Sequence, residues 1–238
     1  MSGHSKWSTI KHKKGAADAK RGQAFTKLIK EITIAARLGG GDPNANPRLR
    51  LLLEKAKEIN MPIDNSTRAI KRGTGELPGM SYEEMTYEGY GPHGIAVIVD
   101  ALTDNKNRTV SELRHLFSVK GGNLSESGSV QWMFDRTSVV RAQGENMSEE
   151  KLLEELIDFD VNDIRSDGDT YEIFCDPKSN EPIKNKLEQL GMKIKSADLE
   201  FVAKDLMNLP ENDATKAYEF LEALEEHDDV KNVYTNVA

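Results

Sequence analysis

Apolar positions between Ala16 and Leu38 recur at helical spacing: Phe25, Leu28, Ile29, Ile32 and Ala36 stand at i, i+3, i+4, i+7 and i+11, and Gly39 is placed to end the run. At ~100° per residue these side chains share one side of a helix. Lys20, Lys27, Lys30 and Arg37 centre on nearly the opposite side. Ile34 is the exception, an apolar side chain on the basic face, expected to touch a neighbouring domain. GGGDPNANP is turn-forming. Asn46 then caps and Pro47 opens a second predicted helix to about Ile59, with Leu49, Leu52, Leu53 and Ala56 as its buried stripe. A third, 65–72, is expected to be capped by Asp64 and stopped by Gly73, with Lys71 and Arg72 at its C-terminus, where the macrodipole favours cations.

Past Gly75 the period shortens. SYEEMTYEGYGPHGIAVIVDALT reads as two strands around a tight Gly-Pro-His-Gly turn. A helix over 107–119 follows, then a GGNLSESGS loop and a strand Val130–Phe134. Residues 137–202 alternate as strand, helix, strand, strand, helix, strand, the βαββαβ order of a ferredoxin-like unit. A helix over 211–226 and a strand Val230–Tyr234 close the chain. A terminal helix and strand must bury their apolar sides, and the segment 76–135 lacks a closing helix and strand. The expected fold is therefore α+β, with a basic arm and three-helix domain (1–75), a discontinuous middle α/β domain (76–136 plus 210–238) and a ferredoxin-like domain inserted in it (137–209).

Charge changes the picture. The 238 residues carry 32 Lys/Arg and 40 Asp/Glu, a net −8, yet residues 1–75 hold 16 Lys/Arg against 6 Asp/Glu. A cationic front on an anionic body attracts a polyanion. Phosphate binding needs several cations on one surface, because each neutralised phosphate releases counterions. The principal expected contacts are Lys6, Lys11, Lys13, Lys14, Lys20, Arg21, Lys27 and Lys30, with Arg37, Arg48, Arg50, Lys71 and Arg72 secondary. Trp7 is placed to stack on a base, and His12 lies among the lysines. The acidic run EALEEHDD (222–229) has carboxylates able to attract a metal, but reads rather as an exposed helix face that would repel nucleic acid and so point away from it.

Other chemistries find little support. The five histidines lack metal-ligand spacing, and no phosphate-cradle or nucleophile-elbow motif occurs. The single Cys175 excludes an intrachain disulfide and reads as a buried, indifferent thiol. Ser2-Gly3-His4 has the letters of a square-planar Cu(II) or Ni(II) set, and equally those of an arm that merely begins so. No enzymatic activity, cofactor, metal, membrane or small-molecule substrate is therefore assigned, and the cytoplasm is the expected compartment.

GHSKWSTIKHKKGAADAKRG (3–22), GGDPNANPRLR (40–50), AKEINMPIDNSTRAIKRGTG (56–75), YEGYGPHGIAVIVDALTDNKNRT (87–109) and DDVKNVYTNV (228–237) resemble the YebC/PmpR family over nearly the whole length. The one departure is Ser66-Thr67, where the family more often has a bulkier residue and an acid. The resemblance implies three domains, the last inserted in the middle one. It also implies a non-enzymatic, cytoplasmic regulator of gene expression. Bacterial members are described as DNA-binding transcriptional regulators. Similar proteins include a mitochondrial translational activator, and some bacterial members are linked to relief of ribosome stalling. Nucleic acid is thus the expected partner, as duplex DNA or as ribosomal RNA on the ribosome.

Overall fold

A computed structural model of the chain describes residues 17–144 and 147–238, with side chains from residue 21 onward. The basic arm, with Lys6, Trp7, Lys11, His12, Lys13 and Lys14, and the Ser2-Gly3-His4 triplet lie outside the described residues, as does the side chain of Lys20.

Three helices open the structure: α1 (Ala17–Gly39), α2 (Pro47–Glu58) and α3 (Ile63–Gly73). Leu28, Ile32 and Ala35 of α1 pack with Leu49, Leu52 and Ala56 of α2, with Met61, and with Ala69 of α3. Asn46 makes the turn before α2 specific. Its Oδ1 accepts from Leu49 N, while its Nδ2 donates to the carbonyls of Ala35 and Gly40. One side chain thus satisfies the start of α2 and the end of α1. After α2, Asn60 adopts φ 58°, Asn60 N donates to Lys57 O and Met61 N to Ala56 O. This is the left-handed cap that turns a chain sharply out of a helix, and it delivers Met61 into the core. Asp64 does not cap α3, which is preceded by Pro62; Asp64 stands in its first turn. Gly73 lies so close to Thr33 O of α1 that any Cβ there would collide with it.

The first sheet, in order β3-β1-β2-β8, is antiparallel throughout. It comprises β1 (Glu83–Tyr90), β2 (Ala96–Thr103), β3 (Asn123–Ser125) and β8 (Val230–Thr235). In the Gly-Pro-His-Gly turn His93, as well as Gly94, takes positive φ. Helices α4 (Lys106–Val119) and α7 (Glu211–Glu225) share one core with the sheet, formed by Val97, Val99, Leu113, Phe117, Phe220, Leu224 and Val233. At its centre Phe117 and Phe220 meet edge-on, centroids 4.9 Å apart, an arrangement worth about 1 kcal/mol beyond burial. The terminal helix and strand therefore complete a sheet begun by β1 and β2.

The expected strand at 130–134 is not one. The edge strand is β3, and residues 131–133 form a single helical turn before β4 (Phe134–Gln143). The cause is Glu88, 3 % exposed on β1. Its carboxylate accepts from the backbone N–H of Gly128 (2.7 Å), Val130 (2.9 Å) and Gln131 (2.9 Å). Burial opposes ionisation there, but these amides outweigh it and hold the carboxyl below its usual range. The amides are satisfied by a side chain, so the segment needs no ladder partner.

Residues 134–204 form a separate unit. It contains β4, α5 (Glu149–Glu155), β5 (Val161–Asp167), β6 (Thr170–Cys175), α6 (Asn180–Gln189) and β7 (Lys193–Ala203), and its sheet order is β5-β6-β4-β7. Every neighbouring pair is antiparallel, as the split βαβ plan requires. Cys175 is fully buried, and burial pushes its thiol pKa up, in keeping with an unreactive side chain.

Candidate nucleic-acid interface

The basic face of α1 is not an open surface. Gln23, Lys27, Lys30, Ile34 and Arg37 form one stripe down the helix, and its polar members reach side chains or carbonyls of the first sheet's surroundings. Gln23 Nε2 donates to Glu226 O at 3.2 Å, and Lys27 Nζ donates to Glu225 O. Both acceptors lie at the C-terminal end of α7, where unpaired carbonyls concentrate negative potential. Arg37 donates to Ser81 Oγ and Tyr82 O, each at 2.7 Å. Ile34 is 1 % exposed, as expected of an apolar residue on that face.

Lys30 is the centre of the stripe. It is 7 % exposed, and its ammonium donates to Asp229 Oδ1 at 2.6 Å, Asp228 O at 3.0 Å and Leu102 O at 3.4 Å. All three donors are used. In this structure Lys30 is therefore buried and paired, and is not an exposed cation of the basic face. Asp229, 3 % exposed, departs from the reading of 222–229 as an exposed helix face. Its other oxygen, Oδ2, accepts from Arg108 Nη2 and Thr109 Oγ1, both at 2.7 Å. Burial opposes the charge, but the bonds from Lys30, Thr109 and Arg108 prevail and hold the carboxyl far below the usual range.

Beside this cluster lies a polar cleft of about 540 Å³ lined by Gln23, Thr26, Lys30, Tyr82, Arg108, Glu226 and His227, among others. Glu112, His227 and Asp229 bring three metal-type ligands together there, which no spacing in the sequence foretold. His227 Nδ1 accepts from Asp229 N at 3.1 Å, so Nε2 carries the proton toward Glu112 Oε2 at 3.0 Å. With both oxygens of Asp229 taken by cationic or hydroxyl donors, the trio is a hydrogen-bonded network and a poor fit for a divalent ion.

The remaining sequence-predicted cations divide. Arg48 is paired with Glu84 at 2.9 Å in a half-exposed bridge, of a kind worth little. Arg21, Arg37, Arg50, Lys71 and Arg72 are exposed, Arg37 while holding its two bonds. The structure adds three exposed cations missing from the expected set: Lys55 and Lys57 on α2 and Arg68 on α3. Arg68, Lys71 and Arg72 at i, i+3 and i+4 fall within a ~100° arc of α3. Simple helical spacing in the sequence could have found that arc.

These features define a class: an α+β protein with a cationic three-helix region clasped to a sheet, and a second, ferredoxin-like unit that enters the chain after β3 and before β8. The chain belongs to the TACO1/YebC family. The family's N-terminal domain matches residues 5–76, and its second and third domains match residues 82–237. It is 52% identical over 238 residues to a probable transcriptional regulatory protein of Chlorobaculum tepidum, covering 100% of this chain and 95% of that one. It is 50% identical over 236 residues to another of that name from Geobacter sulfurreducens, covering 99% and 95%. The crystal structure of a conserved hypothetical protein from Aquifex aeolicus superposes with a TM-score of 0.84 at 45% identity, covering 96% of this chain and 95% of that one. Among the described residues, no helix is long and apolar enough to cross a membrane.

Proposed function

We propose that the protein is a non-enzymatic regulator of gene expression that docks the exposed cations of its helical region on nucleic-acid phosphates. One observation carries the reading: a chain of net −8 concentrates 16 Lys/Arg against 6 acids in its first 75 residues, and after internal pairing Arg68, Lys71 and Arg72 still share an exposed arc. The relatives' name, probable transcriptional regulatory protein, agrees with it. The contact set is Lys6, Lys11, Lys13, Lys14, Lys20 and Arg21 of the arm and early α1, with Arg50, Lys55, Lys57, Arg68, Lys71 and Arg72; Trp7 and His12 supply stacking and polar contact.

A second reading, binding to structured RNA on the ribosome, has its own support. The exposed cations of α3 lie in its C-terminal half, while its first turn presents Ile63 and Asp64. The recognition helix of a helix-turn-helix protein reads the major groove with its N-terminal residues. This arrangement favours phosphate and shape recognition, as RNA surfaces reward.

The experiment is a salt titration of the Arg68→Gln, Lys71→Gln, Arg72→Gln variant on a random duplex, a promoter fragment and a ribosomal RNA fragment. Each lost phosphate contact should lower the slope of log affinity against log salt by ~0.9 on duplex DNA. Affinity equal to wild type across the titration, both here and in the Lys11, Lys13, Lys14 neutralised protein, overturns the reading. Preference for the promoter fragment selects transcription; preference for the RNA and co-sedimentation with ribosomes selects translation.

A further inference from the structure

We propose that the contact between α1 and the α7–β8 turn is an autoinhibitory ionic clasp, in which the protein's own acidic turn occupies cations that a polyanion can claim. This rests on the nucleic-acid reading above. It goes further by identifying a basic stripe that is masked in this structure and a segment that masks it.

The chemistry of the contact is that of a phosphate site. Gln23, Lys27 and Lys30 donate to a row of oxygens: Glu226 O, Glu225 O, Asp228 O and Asp229 Oδ1. A phosphodiester backbone offers the same acceptors with greater charge. Glu31 of α1 also approaches Lys231 of β8 at 3.9 Å, so the contact is ionic in both directions. Ile34 is the single buried apolar side chain of the stripe, and the cleft lined by Gln23, Thr26 and Lys30 brings solvent to that end of the junction. Docking of this kind gains little net free energy, because both charges regain hydration when they part.

Asp229 is built to survive the parting. Its Oδ2 is held by Arg108 and Thr109, which belong to α4, and only Oδ1 is given to α1. When Lys30 leaves, the carboxylate keeps a cation and a hydroxyl. The acidic side of the clasp is thus complete without its partner, whereas Lys30, rehydrated, is free to take a new anion. Phosphate supplies it.

The test places Cys at Thr26 and Asp228 in a Cys175→Ala background. Both side chains line the cleft and neither makes a clasp contact, since Thr26 bonds only within its own helix to Gly22 O and Asp228 contributes its carbonyl. A short bismaleimide locks the two walls; a monofunctional maleimide gives the unlocked control. Locking should weaken binding to a 20-bp duplex and to an RNA hairpin at least tenfold. In the second arm, dyes at the same two positions should move apart as heparin is titrated in. Locked protein that binds within twofold of the control overturns the clasp. If the unlocked control binds neither nucleic acid, the functional reading fails, and heparin alone decides: separating dyes uphold the clasp, and dyes that stay together end it.

Discussion

Two buried ion clusters, one in each unit, use the same side-chain chemistry to opposite ends. In the ferredoxin-like unit Arg141 is the centre. Its guanidinium holds Glu200 through both Nη atoms and Glu172 through Nε at 2.9 Å. All three residues lie on β4, β6 and β7 of one sheet; strand pairing sets Glu172 directly opposite Arg141, and the guanidinium reaches Glu200, opposite Thr137, diagonally along the same pair of strands. Burial works against the charge of Arg141, yet the two carboxylates raise its proton affinity further. In the other unit the centre is an anion, Asp229, with one oxygen committed to α4 and the other lent to α1. A cluster confined to one sheet has no way to separate short of unfolding. One shared between a sheet's edge and a helix joined to it by polar contacts does. Where the partners sit in the topology, more than the ionic strength of the bond, decides whether a buried pair is scaffold or switch.

Arg141→Met should have the largest effect. It removes the cation that Glu172 and Glu200 share, and removing one partner of a buried pair costs about 3 kcal/mol. Hydrogen exchange by mass spectrometry should show the loss across β4, β6 and β7, with residues of the other unit unchanged. Replacing all three members with apolar residues should recover most of it. If Arg141→Met is silent in exchange, the cluster is no scaffold.

Asp229→Asn should cost less, about 2 kcal/mol, although Asp229 has as many partners. The amide still accepts from Thr109 or Arg108, and Lys30 escapes desolvation by undocking rather than staying buried unpaired. Exchange should therefore rise first along α1 and the 225–229 turn while the Phe117–Phe220 core stays protected. Uniform destabilisation of the whole first sheet would make the Asp229 cluster scaffold like the other.

Which parts of this were legible follows from what periodicity can encode. The 3.6-residue pattern places Leu28, Ile32 and Ala36 on one side of α1 and Lys27, Lys30 and Arg37 on the other, and the structure keeps both faces. It says which residues share a face and nothing about what covers it. Ile34 was the available signal that the basic face is covered; its partner, the turn at 225–229, lies some 200 residues away and looks like solvated acid. The βαββαβ order was readable for the same reason as α1, since each element carries its own period. Val130–Phe134 misled because an apolar run resembles a strand, and the acceptor that satisfies its amides is Glu88, 42 residues upstream of Val130. Exposed cations on α2 and α3 were visible as letters, but burial alone separates Arg68 from Lys30.

Acid should have the smallest effect of the three, and it acts on the Asp229 cluster. The Asp229 carboxyl is depressed in the folded protein, so its unfolded form, near pKa ~3.9, binds a proton first as pH falls. Its contribution is complete at neutral pH, begins to fade near pH 4, and is lost progressively as pH drops toward the folded value. At pH 3 about 1 kcal/mol should be gone. Arg141 remains charged throughout that range, so its side of the comparison carries no such titration of the central group. The measurement is the denaturant midpoint at pH 7 and pH 3 for wild type and Asp229→Asn, read by exchange along α1. The variant should show the smaller acid loss by about that amount. Equal losses in both would mean that the carboxyl titrates alike folded and unfolded, and that the bonds from Lys30, Arg108 and Thr109 do not hold it in solution.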